Sequence, residues 1–308
     1  MSNIFYVPAE AAEFSEQMGT KFKFWFHDDT LGLTLFKEGR PGTGENWAEK
    51  IACDLAELLG LPHAIYQLAE WRGRQGIISP TFVPRYARLI HGNELVGGRI
   101  IVGNDDGDKI RYYHERTHTA SRVFQFLRQS VDFVMPPDKF IKFEGISTAL
   151  DVFVGYLLFD AWIANQDRHS ENWGVIKLAE LFFLAPTYDH GSSLGRQETD
   201  IRRSRMMTTR DKGASLDAYV LKARSAMYPS VAGDEKPKAL LGMELFTQVA
   251  KTAPGAARAW IERLRALELD KIRTIINRIP DVYMSEISRE FTYRLLVLNR
   301  SRILELHI

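Results

Sequence analysis

Two short apolar runs around a polar turn, "WGVIKLAELFFLAPTYD" (173–189), stand alone in a stretch of chain whose remaining pattern is helical. Such a segment reads as a β-hairpin inserted among helices. It also fixes what lies at its two ends. In front of it is "DAWIANQDRHSENWG" (160–174), with Asp167 five positions before Asn172. Directly behind it is Asp189, in "TYDHGSSLG" (187–195). The hairpin returns the chain to the side it left, so a carboxylate, an amide and a second carboxylate belong to one side of the fold.

The rest of the pattern divides near residue 84. "FKFWF" (22–26) and "LGLTLFK" (31–37) have strand composition around the turn "HDDT", and read as a hairpin. A Gly/Pro-rich connection (38–46) leads into "WAEKIACDLAELLGLP" (47–62). There Trp47, Ile51, Leu55, Leu58 and Leu59 share a helical face, and Gly60 with Pro62 supply a stop. Strands are expected at 64–71 and 75–83 around "RGR" (72–74). Beyond that the helical patterns are 115–132, 146–164, 237–252, 254–267, 269–278 and 284–306. The expectation is an α+β chain: a small β-rich N-terminal nucleotide-binding lobe over residues 1–84, and a larger, mainly helical catalytic lobe over 85–308.

Composition narrows the function classes. Forty basic and 39 acidic side chains leave a net charge of +1, so no global field favours direct nucleic-acid binding or an anionic membrane. A lone cysteine, Cys53, excludes an intrachain disulfide framework. The longest apolar run, Val152–Ile163, is broken by Gly155 and Asp160 and is too short to span a bilayer. The opening "MSNIFYVPAEAAEF" lacks the layout of a signal peptide, and a cytoplasmic setting is expected.

Asp, then Asn, then Asp around a hairpin suits phosphoryl transfer from ATP. That reaction needs a carboxylate to orient a hydroxyl and accept its proton. It also needs oxygen ligands for magnesium, and a cation on the phosphates. Asp167 fits the base. Asn172 and Asp189 fit the metal, because an amide oxygen binds a hard cation without adding charge beside a triphosphate. Gly191 allows a sharp turn after Asp189. Lys37 ends a strand, and Glu49, in the next helix, lies among Ala52, Cys53 and Ala56, a small-residue face that can approach the sheet. Gly19, Thr20, Lys21 and Lys23 precede the first strand and offer backbone amides and ammonium groups to phosphates. Taken singly, each has an ordinary reading: Asp167 and Asn172 as cap and Asx-turn residues, Glu49 in a capping box with Asn46, Lys37 at a solvated strand end.

With these residues together, the sequence resembles the HipA-like kinases, the kinase toxins of bacterial toxin–antitoxin modules. The matching stretches are "GTKFKFWF", "TLFKEG", "AEKIACDLAELLGLP", "LIHGNELV", "NQDRHSENWGVI", "PTYDHGSSLG" and the C-terminal "AWIERL" and "REFTYRLLVLNRSRIL". The resemblance implies a two-lobed protein-kinase-like fold and transfer of the ATP γ-phosphate to a Ser or Thr hydroxyl. It implies Asp167 as base, Asn172 and Asp189 as Mg²⁺ ligands, and Lys37 on the ATP phosphates. His169 stands where ordinary protein kinases often carry a lysine. The family also implies a protein substrate, such as an aminoacyl-tRNA synthetase or another translation component, a small DNA-binding antitoxin partner, and self-regulation in the loop holding Thr20. The resemblance is to the compact members, so the extra N-terminal subdomain of full-length HipA-type toxins is not expected.

Three other readings compete. "DRHSEN" also resembles phosphatidylinositol kinases, so a lipid or small-molecule kinase is the alternative; it should show a membrane-binding surface, and Cys53 sits mid-helix. His114, Glu115 and His118 have the H-E-x-x-H spacing of a zinc metalloprotease, but with polar flanks and no H-x-x-G-x-x-H extension, Glu144 being the one third ligand on offer. A nucleotide-binding protein without catalysis would not need the full set of Lys37, Asp167, Asn172 and Asp189. The basic run "RQETDIRRSR" (196–205) is expected as a solvated loop, with an acidic substrate surface as its functional alternative.

Overall fold

The computed structural model describes residues 4–11, 14–15, 22–96, 118–230 and 237–308. The small lobe is a sheet with one helix across it. Its strands are β1 (Phe5–Tyr6), β2 (Phe14–Ser15), β3 (Lys23–Asp28), β4 (Gly32–Glu38), β5 (Gln67–Trp71) and β6 (Arg74–Pro80), and the helix is α1 (Glu45–Leu59). The strand order among the described residues is β1-β5-β6-β4-β3-β2. Asp28 builds the β3–β4 turn, its Oδ1 accepting from the Thr30 and Leu31 amides at 2.9 and 2.8 Å. Strand alternation then puts Phe24, Phe26 and Phe36 into a small core with Val7, Trp71 and Ile78. Lys37 follows Phe36 and therefore points to the opposite face. Lys23 lies directly across from it in the antiparallel register, on that same face.

Helix α1 covers the sheet and joins the main core. Trp47, Ile51, Leu55 and Leu59 are all buried, as their spacing requires. Gly60, at φ 79°, closes the helix in the left-handed region. At the other end Gly44 is the N-cap with no side-chain bond, so Asn46 does not form the capping box considered from the sequence. The Arg263 Nε donates to the Leu59 carbonyl at 3.0 Å and ties α1 to the large lobe.

The large lobe has a second sheet, β7 (Arg88–His91), β8 (Val134–Met135), β9 (Gly174–Leu178) and β10 (Leu181–Leu184), in the order β7-β9-β10-β8. β9 and β10 are the expected hairpin, with Leu178 opposite Leu181 and Val175 opposite Leu184. Its helices are α2 (Gly92–Val96), α3 (Ala120–Gln129), α4 (Ala149–Ile163), α5 (Asp200–Thr208), α6 (Leu216–Val220), α7 (Gly242–Thr252), α8 (Pro254–Arg265), α9 (Leu269–Asn277) and α10 (Glu286–Leu304). α4 is buried nearly all round, because it is apolar on every face. Its start is fixed by a capping box between Thr148 and Asp151. Gly155 seats the Trp260 ring, since a Cβ there would fall 2.4 Å from it. The Trp162 indole donates to the Leu296 carbonyl at 3.1 Å, locking α4 to α10.

Candidate active site

Helix α4 ends by turning left-handed at Ala164 (φ 54°), and the next residues wind into a loop stitched to the helix they leave. The Asn165 amide side chain donates to Asp160 Oδ1 at 2.8 Å, and the Asp167 backbone N–H donates to Asn165 Oδ1 at 3.3 Å. The centre of the loop is Arg168, only 1% exposed. It makes a two-pronged ion pair with Asp160 (2.7 and 2.8 Å) and donates to the Asn172 carbonyl (2.7 Å) and Thr187 Oγ1 (2.8 Å). One guanidinium thus fixes the helix end, the loop and the strand leading to Asp189. The sequence reading passed over it. The available signal was Asp160 itself, a carboxylate inside an apolar helix that must find a partner.

This frame places Asp167 and Asn172 side by side. The Asn172 side-chain nitrogen donates to the Asp167 carbonyl at 2.6 Å, which turns its oxygen into the end available to a cation. His169 Nδ1 accepts from the Glu171 amide at 3.2 Å, so a neutral ring carries its proton on Nε2, 3.9 Å from Asp167 Oδ1.

From the small lobe, Lys37 Nζ meets Asp189 Oδ1 at 2.6 Å. Burial alone would push the Lys37 ammonium down, but Asp189, Glu49 and Glu45 together outweigh it and hold the group protonated, above its ordinary value. Asp189 sits at φ 56°, and its N–H donates to the Tyr66 hydroxyl at 3.1 Å. Its carboxylate is 37% exposed, so it opens onto the cleft rather than into the core. Glu49, buried, accepts from the His190 N–H at 2.6 Å and acts electrostatically on Lys37. Burial, and then the Arg168 charge, push the His190 imidazole well below its ordinary value, which makes it a neutral spacer between Glu49 and Thr187.

Of the residues read from the sequence, the structure pairs Lys37 with Asp189, Asn172 and His169 with Asp167, and Glu49 with the amide next to Asp189; Lys23 shares the sheet face of Lys37, and Ser192, three residues after Asp189, reaches Asp167 at 3.3 Å. Gly19, Thr20 and Lys21 lie outside the described residues, as do His114 and Glu115. His118 does not suit a zinc ligand. Its Nε2 accepts from the Trp173 indole at 3.0 Å, and its Nδ1 lies 3.4 Å from the Ala226 carbonyl. Burial pushes this imidazole down from 6.5 to about 4. Between those pH values the unfolded chain holds a proton that the folded chain excludes. The stabilisation is therefore complete above 6.5 and is lost as pH falls towards 4. In urea titrations at pH 7 and pH 5, His118→Gln should lose less stability than wild type on going to the lower pH.

The basic run after Asp189 is not the expected loop. Thr199 caps α5 through its side chain, and Arg203 is buried, bonding Gly195 O (3.0 Å) and Ser288 Oγ (2.7 Å). Arg202 and Arg205, with Lys222, line a cavity of about 370 Å³ behind this helix.

These sites hold no metal-binding group of three or more His, Cys, Asp or Glu among the described residues. Asn172 and Asp189 suit magnesium in the manner of a nucleotide-bound ion, which takes one or two protein oxygens and completes its shell with phosphate and water.

No protein-family model matches the chain. Among curated proteins it is 28% identical over 158 residues to the serine/threonine-protein kinase CtkA of Helicobacter pylori, a match covering 50% of this chain and 44% of that protein. Among solved structures it is similar to the crystal structure of the proinflammatory kinase CtkA from Helicobacter pylori, with TM-score 0.74 and 19% identity, over 98% of this chain and 96% of that one. It is also similar to HipA in the Shewanella oneidensis complex of HipA, HipB and operator DNA, with TM-score 0.55 and 13% identity, over 98% of this chain and 70% of that one. The two-lobed kinase-like fold expected from the motifs is therefore the fold of this chain, and the likeness to HipA is a likeness of fold.

Proposed function

We propose that the protein is an ATP-dependent serine/threonine protein kinase of the HipA-like type. The observation carrying this reading is the Lys37–Asp189 pair, joined at 2.6 Å, at the head of a segment whose Ser192 contacts Asp167 at 3.3 Å, with Asn172 joined to Asp167 at 2.6 Å. A magnesium ion held by Asn172 and Asp189 would neutralise phosphate charge as it moves onto the leaving group. Lys37, kept protonated, neutralises the phosphate oxygens. Asp167 takes the proton from the acceptor hydroxyl as its oxygen bonds the γ-phosphorus. The bond from that phosphorus to the bridging oxygen breaks, and ADP leaves. His169 can hold the acceptor or the transferring phosphoryl through its Nε2–H. Most of the rate gain would come from positioning and charge stabilisation.

The likeness to CtkA supports a protein acceptor. Asp167→Asn removes the base while keeping size and hydrogen bonding. It should cut transfer of radiolabelled phosphate from ATP by about 10²–10⁴-fold, with the melting temperature unchanged. Equal incorporation by wild type and variant would refute the assignment. The HipA neighbour sits with HipB on operator DNA. For this chain a small DNA-binding partner is read by the same analogy, tested by what co-purifies with the tagged chain from its native host. Phosphoproteomics of cells expressing wild type and Asp167→Asn would name the acceptor.

A further inference from the structure

We infer that Ser192 and Arg196 are positioning residues for Asp167, and that they connect it to the first turn of α1. The inference rests on the kinase reading above. The Ser192 hydroxyl lies 3.3 Å from Asp167 Oδ2, and Arg196 Nη2 lies 3.0 Å from the same hydroxyl. A guanidinium can only donate. The Ser192 oxygen must therefore accept from Arg196, which leaves its own proton to point at Asp167. The Asp167 carboxylate can only accept, so Ser192 is the donor, and Arg196 holds the hydroxyl in that orientation by occupying its acceptor side.

Arg196 is in turn held by the small lobe. It pairs with Glu45, and both side chains are nearly buried, at 8% and 4% exposure. The Gly44 amide donates to the Arg196 carbonyl at 2.9 Å. Glu45 Oε2 also accepts from the Arg40 amide at 3.2 Å, in the connection that follows Lys37 along the chain. One turn further along α1, Glu49 holds the His190 amide. The first two turns of α1 thus grip the segment after Asp189 at two points. One of them runs through Arg196 and Ser192 to the carboxylate proposed as base. A shift of α1 relative to the large lobe would be felt at Asp167 through this path, as a rotated carboxylate.

The test is steady-state phosphotransfer with kcat and KM for ATP read separately, beside thermal melting. Ser192→Ala should lower kcat by about 10²-fold, with KM for ATP within about twofold and the melting temperature unchanged. Ser192→Thr, which keeps the hydroxyl, should restore kcat. Arg196→Ala should behave as Ser192→Ala; if it fails to fold, the Ser192 pair still decides. A wild-type kcat in Ser192→Ala would overturn the inference, as would equal losses in the alanine and threonine variants. If wild type itself transfers no phosphate, the kinase reading and this inference fall together; if wild type is active and Ser192→Ala matches it, this inference alone falls.

Discussion

Arg168→Ala should lower stability by about 3–5 kcal/mol and the melting temperature by roughly 10 °C. The reason is what the substitution leaves behind. Arg168 is 1% exposed and Asp160 is 4% exposed, so the carboxylate would stay buried without its guanidinium. The carbonyl of Asn172 and the hydroxyl of Thr187 would lose a charged donor in the same step. A buried ion pair is only weak evidence of net stabilisation, but removing one partner exposes the full desolvation cost of the other. Replacing both, as Asp160→Leu with Arg168→Met, should recover part of the loss, because no orphan charge remains. Chemical denaturation of the two variants beside wild type checks this. A single variant melting within 2 °C of wild type, on the scale set by comparable substitutions, would show that Arg168 is not the fastening it resembles.

The same residue shows where sequence reasoning stops. The hairpins at 23–38 and 174–184, α1 and the longer helices of the large lobe (α3, α4 and α7 to α10) were legible, because their apolar residues recur at the period of the element they form. The residues proposed for the chemistry were picked out by type and spacing, since hydroxyl activation and metal binding restrict both. Arg168 lies between Asp167 and His169 and carries no period. Its meaning comes from Asp160, eight positions back, and Thr187, 19 positions on. β7 and β8 were missed for a related reason. They are four and two residues long and are strands only because β9 and β10 supply hydrogen-bond partners. α5 was missed although Thr199 and Asp200 carry a start signal, because the charges that follow look like a loop until Arg203 is seen to be buried. Arg196 and Ser192 belong to the same class: their significance lies in a path across two lobes.

Asp189→Asn should cut phosphotransfer by about 10³-fold while leaving the fold in place. Asparagine is the informative substitution, because Asp189 sits at φ 56°, a conformation asparagine tolerates and alanine resists. The backbone bond to Tyr66 comes from the main-chain N–H and survives the change. The side chain is 37% exposed, so its ion pair with Lys37 is partly screened, and its loss should cost little stability. Lys37 would keep Glu49 and Glu45 as neighbouring charges and remain an ammonium. Beyond the Lys37 ion pair, the variant removes one thing, the negative oxygen that would hold magnesium beside the phosphates. Activity lost for that reason should respond to the metal: the magnesium concentration giving half-maximal rate should rise, and manganese should recover more of the rate than magnesium. A variant inactive at every metal concentration but normally folded would move Asp189 to another task, such as aiming Lys37. Wild-type turnover at wild-type magnesium would take Asp189 out of the chemistry altogether.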